Sequence, residues 1–168
     1  MSTPSSERLY DTDFYAWTQR QAAELRRLAN TRPNLPLDLA HIAEEIRDLG
    51  KSERDAVFSL ARQIMQHLLL LQHSPAGENR PHWMDEVDEF RAQMKRKLSP
   101  TIRRQLKREL GDLYAEGRQL VERKMLRYRE EEAAACLPSN CPYSLDQILG
   151  DWLPDEASSA ARQDVRGG

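Results

Sequence analysis

Carboxylate and imidazole side chains gather in the segment DLAHIAEEIRDLG, which opens the stretch with the densest apolar stripe. On a helix that turns about 100° per residue, His41, Glu45 and Asp48 lie within about 60° of one another. Carboxylates at this spacing offer the oxygen ligands that Mg²⁺ and Mn²⁺ prefer. We therefore predict Glu44, Glu45 and Asp48 as candidate ligands of Mg²⁺ or Mn²⁺. The alternative is a solvent-exposed helix face on which Glu44 pairs with Arg47 and His41 with Glu45.

His67 is the second candidate, on the helix that follows. Its helical direction falls between those of Leu60 and Leu71, at the edge of the apolar stripe. A neutral imidazole there can join Glu45 as a ligand or as a general base. We predict His67 as the catalytic residue of a metal-dependent hydrolase of a nucleotide-like substrate. The alternative is a histidine that hydrogen-bonds to a neighbouring helix. The Glu44-Glu45-x-x-Asp48 pattern resembles helical pyrophosphatases of the MazG type, which pair an EExxE helix with a later ExxD helix. Here the nearest second element is Asp85–Glu89, whose separation and order match that family poorly.

Charge is distributed in blocks. Residues 1–90 carry 10 basic and 15 acidic side chains, residues 91–129 carry 13 and 4, and residues 130–168 carry 2 and 8. A basic block between acidic ones can pair with its own chain, with a second copy or with an outside polyanion. The residues predicted to contact nucleic acid or another anion, within a basic run over 91–108, are Arg96, Arg103, Arg104 and Lys107. This run lacks interleaved aromatic residues and a recognisable groove-reading helix, which favours ion pairing over nucleic-acid binding.

Apolar residues recur at helical spacing along almost the whole chain, and no segment alternates as a strand does. We therefore predict an all-α fold, a single-domain bundle of about five to six helices. The helical domain is expected to span residues 10–154, between flexible tails at 1–9 and 155–168.

Capping signals set the first helix boundaries. The first helix is predicted to begin at Asp11 or Thr12, and Asp38 is predicted to cap the second. Gly50 is predicted to end that second helix, so that 38–72 forms a helical hairpin or continues with a kink. The residues expected to be buried along the second helix are Leu39, Ile42, Ala43, Ile46 and Leu49; those expected along the third are Val57, Leu60, Ala61, Ile64, Leu68 and Leu71.

Two later helices also show start signals. Ser99 with Pro100 in the first helical position begins a long helix, which is predicted to run to about Ala133 with bends at its glycines. Ser144 with Gln147 three residues later is typical of a capping box that starts a short final helix.

The composition limits where the protein works. The longest aliphatic run is Leu68–Leu71 in a chain of mean hydropathy -0.76, so no membrane span is expected. The opening residues lack an apolar signal region, which predicts a cytoplasmic protein. Cys136 and Cys141 are expected to be reduced thiols, because a C-x4-C pair supplies only two of the four ligands of a structural zinc.

Five motifs occur in a distinctive order, accompanied by Trp83 and Tyr114: YDTDFYAW (10–17), IAEEIRDLGKSER (42–54), HLLLLQ (67–72), LSPTIRRQL (98–106) and CPYSLDQILGDWLP (141–154). Over about residues 10–154 this succession resembles the bacterial and cyanobacterial family called domain of unknown function 29. The resemblance implies a helical fold and brings no agreed activity with it. The family usually has a lysine after the His-Leu-Leu run, where this chain has Leu70 or Leu71. A role that rests on that lysine therefore does not transfer.

These patterns lead to one functional hypothesis and two alternatives. The first is a non-enzymatic interaction or assembly protein that forms a homo-oligomer through its complementary charge blocks, or binds another protein. The alternatives are the Mg²⁺- or Mn²⁺-dependent hydrolase and a weak nucleic-acid binder that uses residues 91–108.

Overall fold

The computed structural model describes residues 6–155, with side chains from residue 8 onward. Within that range a 3-10 turn, Gly77–Asn79, precedes the fourth of seven α-helices. The helices are α1 (Ser6–Thr12), α2 (Phe14–Thr31), α3 (Leu39–His73), α4 (Arg80–Lys97), α5 (Pro100–Arg127), α6 (Glu131–Ala135) and α7 (Leu145–Leu149). No strand occurs in the described part of the chain, which confirms the all-α prediction. None of these seven helices is both long and apolar enough to cross a membrane.

The predicted tails fall largely outside this range. Residues 1–5 and 156–168 are not among the described ones, whereas residues 6–9 belong to α1 and not to a tail. Contacts divide the chain into two compact units. The first unit comprises the chain up to Val57 together with Lys97–Leu106. The second unit comprises Phe58–Arg96 and the chain from Lys107 onward. The single domain over 10–154 stays a prediction.

In the first unit, the buried carboxylate of Asp13 caps two helices. One oxygen accepts the Ala16 N–H at 3.1 Å, at the start of α2, and the other accepts the Thr101 N–H at 2.9 Å, in the first turn of α5. Burial by itself raises the pKa of Asp13, but the hydrogen bonds from Ala16 and Thr101 outweigh burial and hold the pKa below its usual 3.8. Because Asp13 is the cap, α2 begins at Phe14, later than predicted.

Gly50 lies inside α3, which runs unbroken through it, so the predicted break there is wrong. A Cβ built on this buried glycine would lie 1.9 Å from Oγ1 of Thr18, on α2. Thr18 is fully buried, and its hydroxyl donates to the Tyr15 carbonyl at 2.7 Å. Glycine is therefore required at this position for the close approach of α2 and α3, and not to stop the helix.

In the second unit, α3 supplies much of the core. Its buried residues include five of the predicted apolar stripe, each at most 8% exposed: Leu60, Ala61, Ile64, Leu68 and Leu71. Leu69 and Leu70 are buried as well, so the helix is covered on every side at this point. That confirms the prediction for this half of α3.

Arg91 anchors the end of the chain in the second unit. It is 2% exposed; its Nε donates to the Ile148 carbonyl at 3.0 Å, and its Nη2 donates to the carbonyls of Gln147 and Trp152, both at 2.7 Å. Gln147 and Ile148 are in α7, whose carboxyl end favours a cation through the helix dipole. One buried side chain thus holds both α7 and the segment that follows it.

The helix α5 ends at Arg127, before the predicted Ala133. The Glu130 N–H bonds to the Met125 carbonyl at 2.9 Å and the Arg129 N–H to the Leu126 carbonyl at 3.2 Å, the pattern of a Schellman motif. Arg129 takes the left-handed conformation, with φ 61°, at the position where glycine is usual. The sequence carries no glycine there, so the stop signal was absent from it.

The close approach at Gly50 leads to a stability prediction. Gly50→Ala is expected to lower the free energy of unfolding by about 1–3 kcal/mol, because the new methyl group overlaps Thr18. Gly111→Ala is the matched control: Gly111 is exposed on α5 with nothing within 4 Å, so alanine there should raise that free energy by about 0.5–1 kcal/mol. Urea unfolding followed by circular dichroism measures both, and a gain in both variants would contradict the packing account.

The double cap leads to a prediction about acid. Since the folded-state pKa of Asp13 is below 3.8, its ionised form adds stability that is present above the unfolded-state pKa and lost as pH falls through the folded-state value. Asp13→Asn keeps one acceptor oxygen and should cost about 1–2 kcal/mol at neutral pH. The stability of this variant should also fall less steeply than that of the wild type between about pH 5 and pH 2. Urea unfolding at several pH values tests this, with exposed Asp11→Asn as control; parallel pH profiles for wild type and Asp13→Asn would refute it.

Candidate functional site

One side of the first turns of α3 is open to solvent. We call it the outer face of α3 and define it as Asp38, Ile42, Glu45 and Leu49. These residues follow at intervals of four, three and four, so they line up along the helix. All four are exposed, as is Leu37, directly before the helix cap.

Asp38 fixes the start of this face. Its carboxylate accepts the His41 N–H at 3.2 Å and lies 2.5 Å from Nδ1 of the His41 ring, and its carbonyl accepts the Ile42 N–H at 3.1 Å. It therefore caps α3 as predicted. The hydrogen bond between the two side chains is the main cause that lowers the pKa of Asp38 and raises the pKa of His41.

The three predicted metal ligands are all exposed on α3. Arg47 contacts two of them, Glu44 at 3.4 Å and Asp48 at 3.2 Å. The Glu44–Arg47 contact is one of the two pairs expected for a solvent-exposed helix face. Glu45 has no ion pair with any residue in 6–155. Across that same range, no three His, Cys, Asp or Glu side chains are placed to hold a metal ion. A role for Glu44, Glu45 and Asp48 with Mg²⁺ or Mn²⁺ stays a prediction.

The apolar part of the outer face was predicted to be buried, and here the prediction is wrong. Ile42 is 39% exposed and Leu49 is 56% exposed, whereas Leu39 and Ala43 are buried as expected. The buried side of the helix is the one that carries Gly50, where α2 approaches closely. Ile42 and Leu49 lie to one side of that direction and so remain uncovered. Two large apolar side chains seven residues apart therefore reach solvent among carboxylates.

His67 belongs to the second unit, and Glu45 to the first. The Nδ1 of His67 lies 2.8 Å from the Gln63 carbonyl, and its Nε2 lies 2.5 Å from the Glu86 carboxylate. Exposed His82 also approaches this carboxylate, at 3.4 Å. Both ring nitrogens of His67 thus face oxygen acceptors. The sequence did not identify Glu86 as its partner, and a catalytic role for His67 stays a prediction.

The basic run divides into buried and exposed members. Arg91 was included in it but is buried against backbone carbonyls, and Lys97 pairs with Glu53 at 2.9 Å. The four residues predicted to contact an anion are all exposed: Arg96, Arg103, Arg104 and Lys107. Nη2 of Arg104 donates to the hydroxyl of Thr101, a neutral group, at 2.9 Å. Nucleic-acid binding by these residues stays a prediction.

A cavity of about 790 Å³ opens in the second unit, beside the end of α3. Ser74 in its wall is buried and donates to the Glu130 carboxylate at 3.1 Å. Arg80 donates to the carbonyls of Leu71 and Pro154. The charged side chains that line the cavity are of both signs: Arg80, Arg129, Glu130, Glu131 and Glu132. These charges do not select one class of ligand.

Neither cysteine forms a disulfide. Cys136 is exposed, while Cys141 is half-buried with its Sγ 3.5 Å from the Tyr143 carbonyl. Burial raises the pKa of the Cys141 thiol, which keeps it protonated at neutral pH. Both residues are free thiols, as the sequence predicts.

Comparison with known proteins supports the family resemblance. The family model described as "Domain of unknown function DUF29" matches residues 9–153. The chain is similar to an α-helical protein of unknown function from Rhodospirillum rubrum, known from a crystal structure: the two are 28% identical, with a TM-score of 0.78, over 90% of this chain and 96% of that one. No curated protein shows a significant match. The motifs that run from Tyr10 to Pro154 are therefore those of a shared helical fold, and the chain belongs to the DUF29 family.

Proposed function

We propose that this protein is an interaction module, which assembles with a second copy of itself through the outer face of α3. The exposure of Ile42 and Leu49 carries the proposal. Isolated apolar residues on a surface are ordinary, but two that lie two turns apart on one helix face, with exposed Leu37 just before the helix, form an apolar edge on either side of Glu45. Such edges rimmed by charged residues are typical of protein-binding surfaces.

The size of the apolar edge fits reversible assembly. Covering a fully exposed leucine or isoleucine contributes about 1.5–3 kcal/mol, and these two side chains are about half exposed. Together they would contribute about 1.5–3 kcal/mol, which corresponds to a roughly 10- to 150-fold change in dissociation constant. The remainder must come from polar and charged groups around them.

The other candidate sites support their hypotheses less well. The ring nitrogens of His67 both face protein oxygens, and the cavity presents charges of both signs. The free thiols Cys136 and Cys141 suit a reducing compartment, so we infer that the assembly works in the cytoplasm.

The proposal predicts a concentration-dependent mass. Sedimentation velocity of the wild type should show assembly as concentration rises, and Ile42→Ser/Leu49→Ser should raise the dissociation constant by roughly 10-fold or more. Serine removes apolar surface without adding charge, so the comparison isolates the apolar edge. Circular dichroism checks that the variant keeps its helices.

Leu126→Ser is the matched control, since Leu126 is 49% exposed in the second unit. It should assemble as the wild type does. A wild type that stays monomeric at every concentration would contradict the proposal, and so would an equal loss of assembly in Leu126→Ser.

A further inference from the structure

Glu45 is the carboxylate of the outer face of α3 that its own chain leaves without an ion pair. This inference rests on the proposed function and concerns what limits assembly through that same face. On the neighbouring positions, Arg47 contacts Glu44 at 3.4 Å and Asp48 at 3.2 Å. Glu45 is exposed and has no such contact with any residue in the part of the chain that the structure describes.

His41, one turn before Glu45, is held by a different carboxylate. Its Nδ1 lies 2.5 Å from the Asp38 carboxylate, and this hydrogen bond is the main cause that raises the pKa of His41. Glu45 is the last and smallest of the causes that raise this pKa. The negative charge of Glu45 is therefore largely uncompensated within its own chain.

This charge lies in the middle of the apolar edge. Glu45 follows Ile42 by three residues and precedes Leu49 by four, so the three side chains share one side of the helix. A second copy that covers both apolar side chains must also closely approach the carboxylate between them. Removing water from a carboxylate that has no partner is unfavourable, so the same contact that buries the apolar edge works against itself at Glu45.

A symmetric contact brings two of these carboxylates together. When both copies use the same face, a two-fold axis relates them. If the two helices are antiparallel, covering Ile42 and Leu49 in both copies requires the axis to pass near the midpoint of the edge, which is beside Glu45. If the helices are parallel, each residue faces its own counterpart. Position 45 of one copy lies opposite position 45 of the other in both arrangements.

We propose that assembly through the outer face of α3 brings the Glu45 carboxylates of two copies together, and that Glu45 thereby keeps the assembly weak. Like charges across an interface are unfavourable, whereas the apolar side chains on either side favour the contact. Salt screens repulsion between exposed charges, so assembly of the wild type should strengthen as ionic strength rises. The same carboxylate favours a partner that carries a cation at the opposing position.

Neutralising the charge tests its effect on assembly. Glutamine keeps the length and the helix propensity of glutamate, so Glu45→Gln removes the charge alone. Its dissociation constant in sedimentation velocity should be lower than that of the wild type by roughly tenfold or more, and should depend less on salt. Glu44→Gln is the matched control: it changes the net charge equally, on the adjacent residue, and should shift the dissociation constant by less than about threefold.

Reversing the charge tests whether the two copies of residue 45 meet. Fluorescently labelled wild type is held at trace concentration, and unlabelled wild type or unlabelled Glu45→Lys is added to it. Glu45→Lys should bind the labelled protein more tightly than unlabelled wild type does, by roughly tenfold or more, because an ammonium group then faces the carboxylate. Circular dichroism of each variant confirms that the helices are intact.

Two outcomes would overturn the inference. One is a Glu45→Gln variant that assembles no better than the wild type, or no better than Glu44→Gln. The other is a Glu45→Lys variant that binds labelled wild type no more tightly than the wild type does, which would separate the two copies of residue 45. Failure of the proposed function looks different, since neither the wild type nor Glu45→Gln would then assemble at any concentration.

Discussion

Burying a charge is costly unless hydrogen bonds replace the water that it gives up, and each unit of this protein buries one charged side chain that bonds mainly to the backbone. In the first unit, the two carboxylate oxygens of Asp13 accept hydrogen bonds from backbone N–H groups in the first turns of α2 and α5. In the second, Arg91 donates to three carbonyls at the end of the chain. Neither charge has its main partner in an opposite charge. The backbone ends of helices serve instead, and this fixes where those helices begin and end.

This constraint gives the recognition motifs a physical reading. The segment YDTDFYAW contains Asp13, and the segment CPYSLDQILGDWLP contains all three carbonyls that Arg91 contacts. Both motifs thus encode places where a helix terminus meets a buried charge.

Local signals were sufficient for part of the fold. Ser99 and Ser144 cap their helices as predicted, because a side chain that bonds to a backbone N–H three residues later is a local event. Gly50 was wrongly predicted to end a helix, and the helix end at Arg129 was not predicted, for opposite reasons. Glycine is required at position 50 because α2 approaches closely there, and spacing along the sequence cannot reveal that approach. The arginine occupies a left-handed position that normally requires glycine, so the chain gave no signal there.

The candidate site shows the same limit. Helical spacing correctly grouped Glu45 and Asp48 on one exposed face. It also placed Ile42 and Leu49 in the core, since an apolar residue at helical spacing looks the same whether or not another helix covers it. Which side of α3 is buried depends on where α2 approaches at Gly50. The exposure of Ile42 and Leu49 therefore became visible only when the fold was known.

We propose that the uncovered apolar edge of α3 is the surface that meets a second copy. Methyl NMR of wild-type protein over a range of concentrations is the sharpest test, because each methyl group reports on its own surroundings. The signals of Ile42 and Leu49 should shift or broaden as concentration rises, while those of exposed Leu126 stay constant. Unchanged Ile42 and Leu49 signals, or a change confined to Leu126, would contradict the claim.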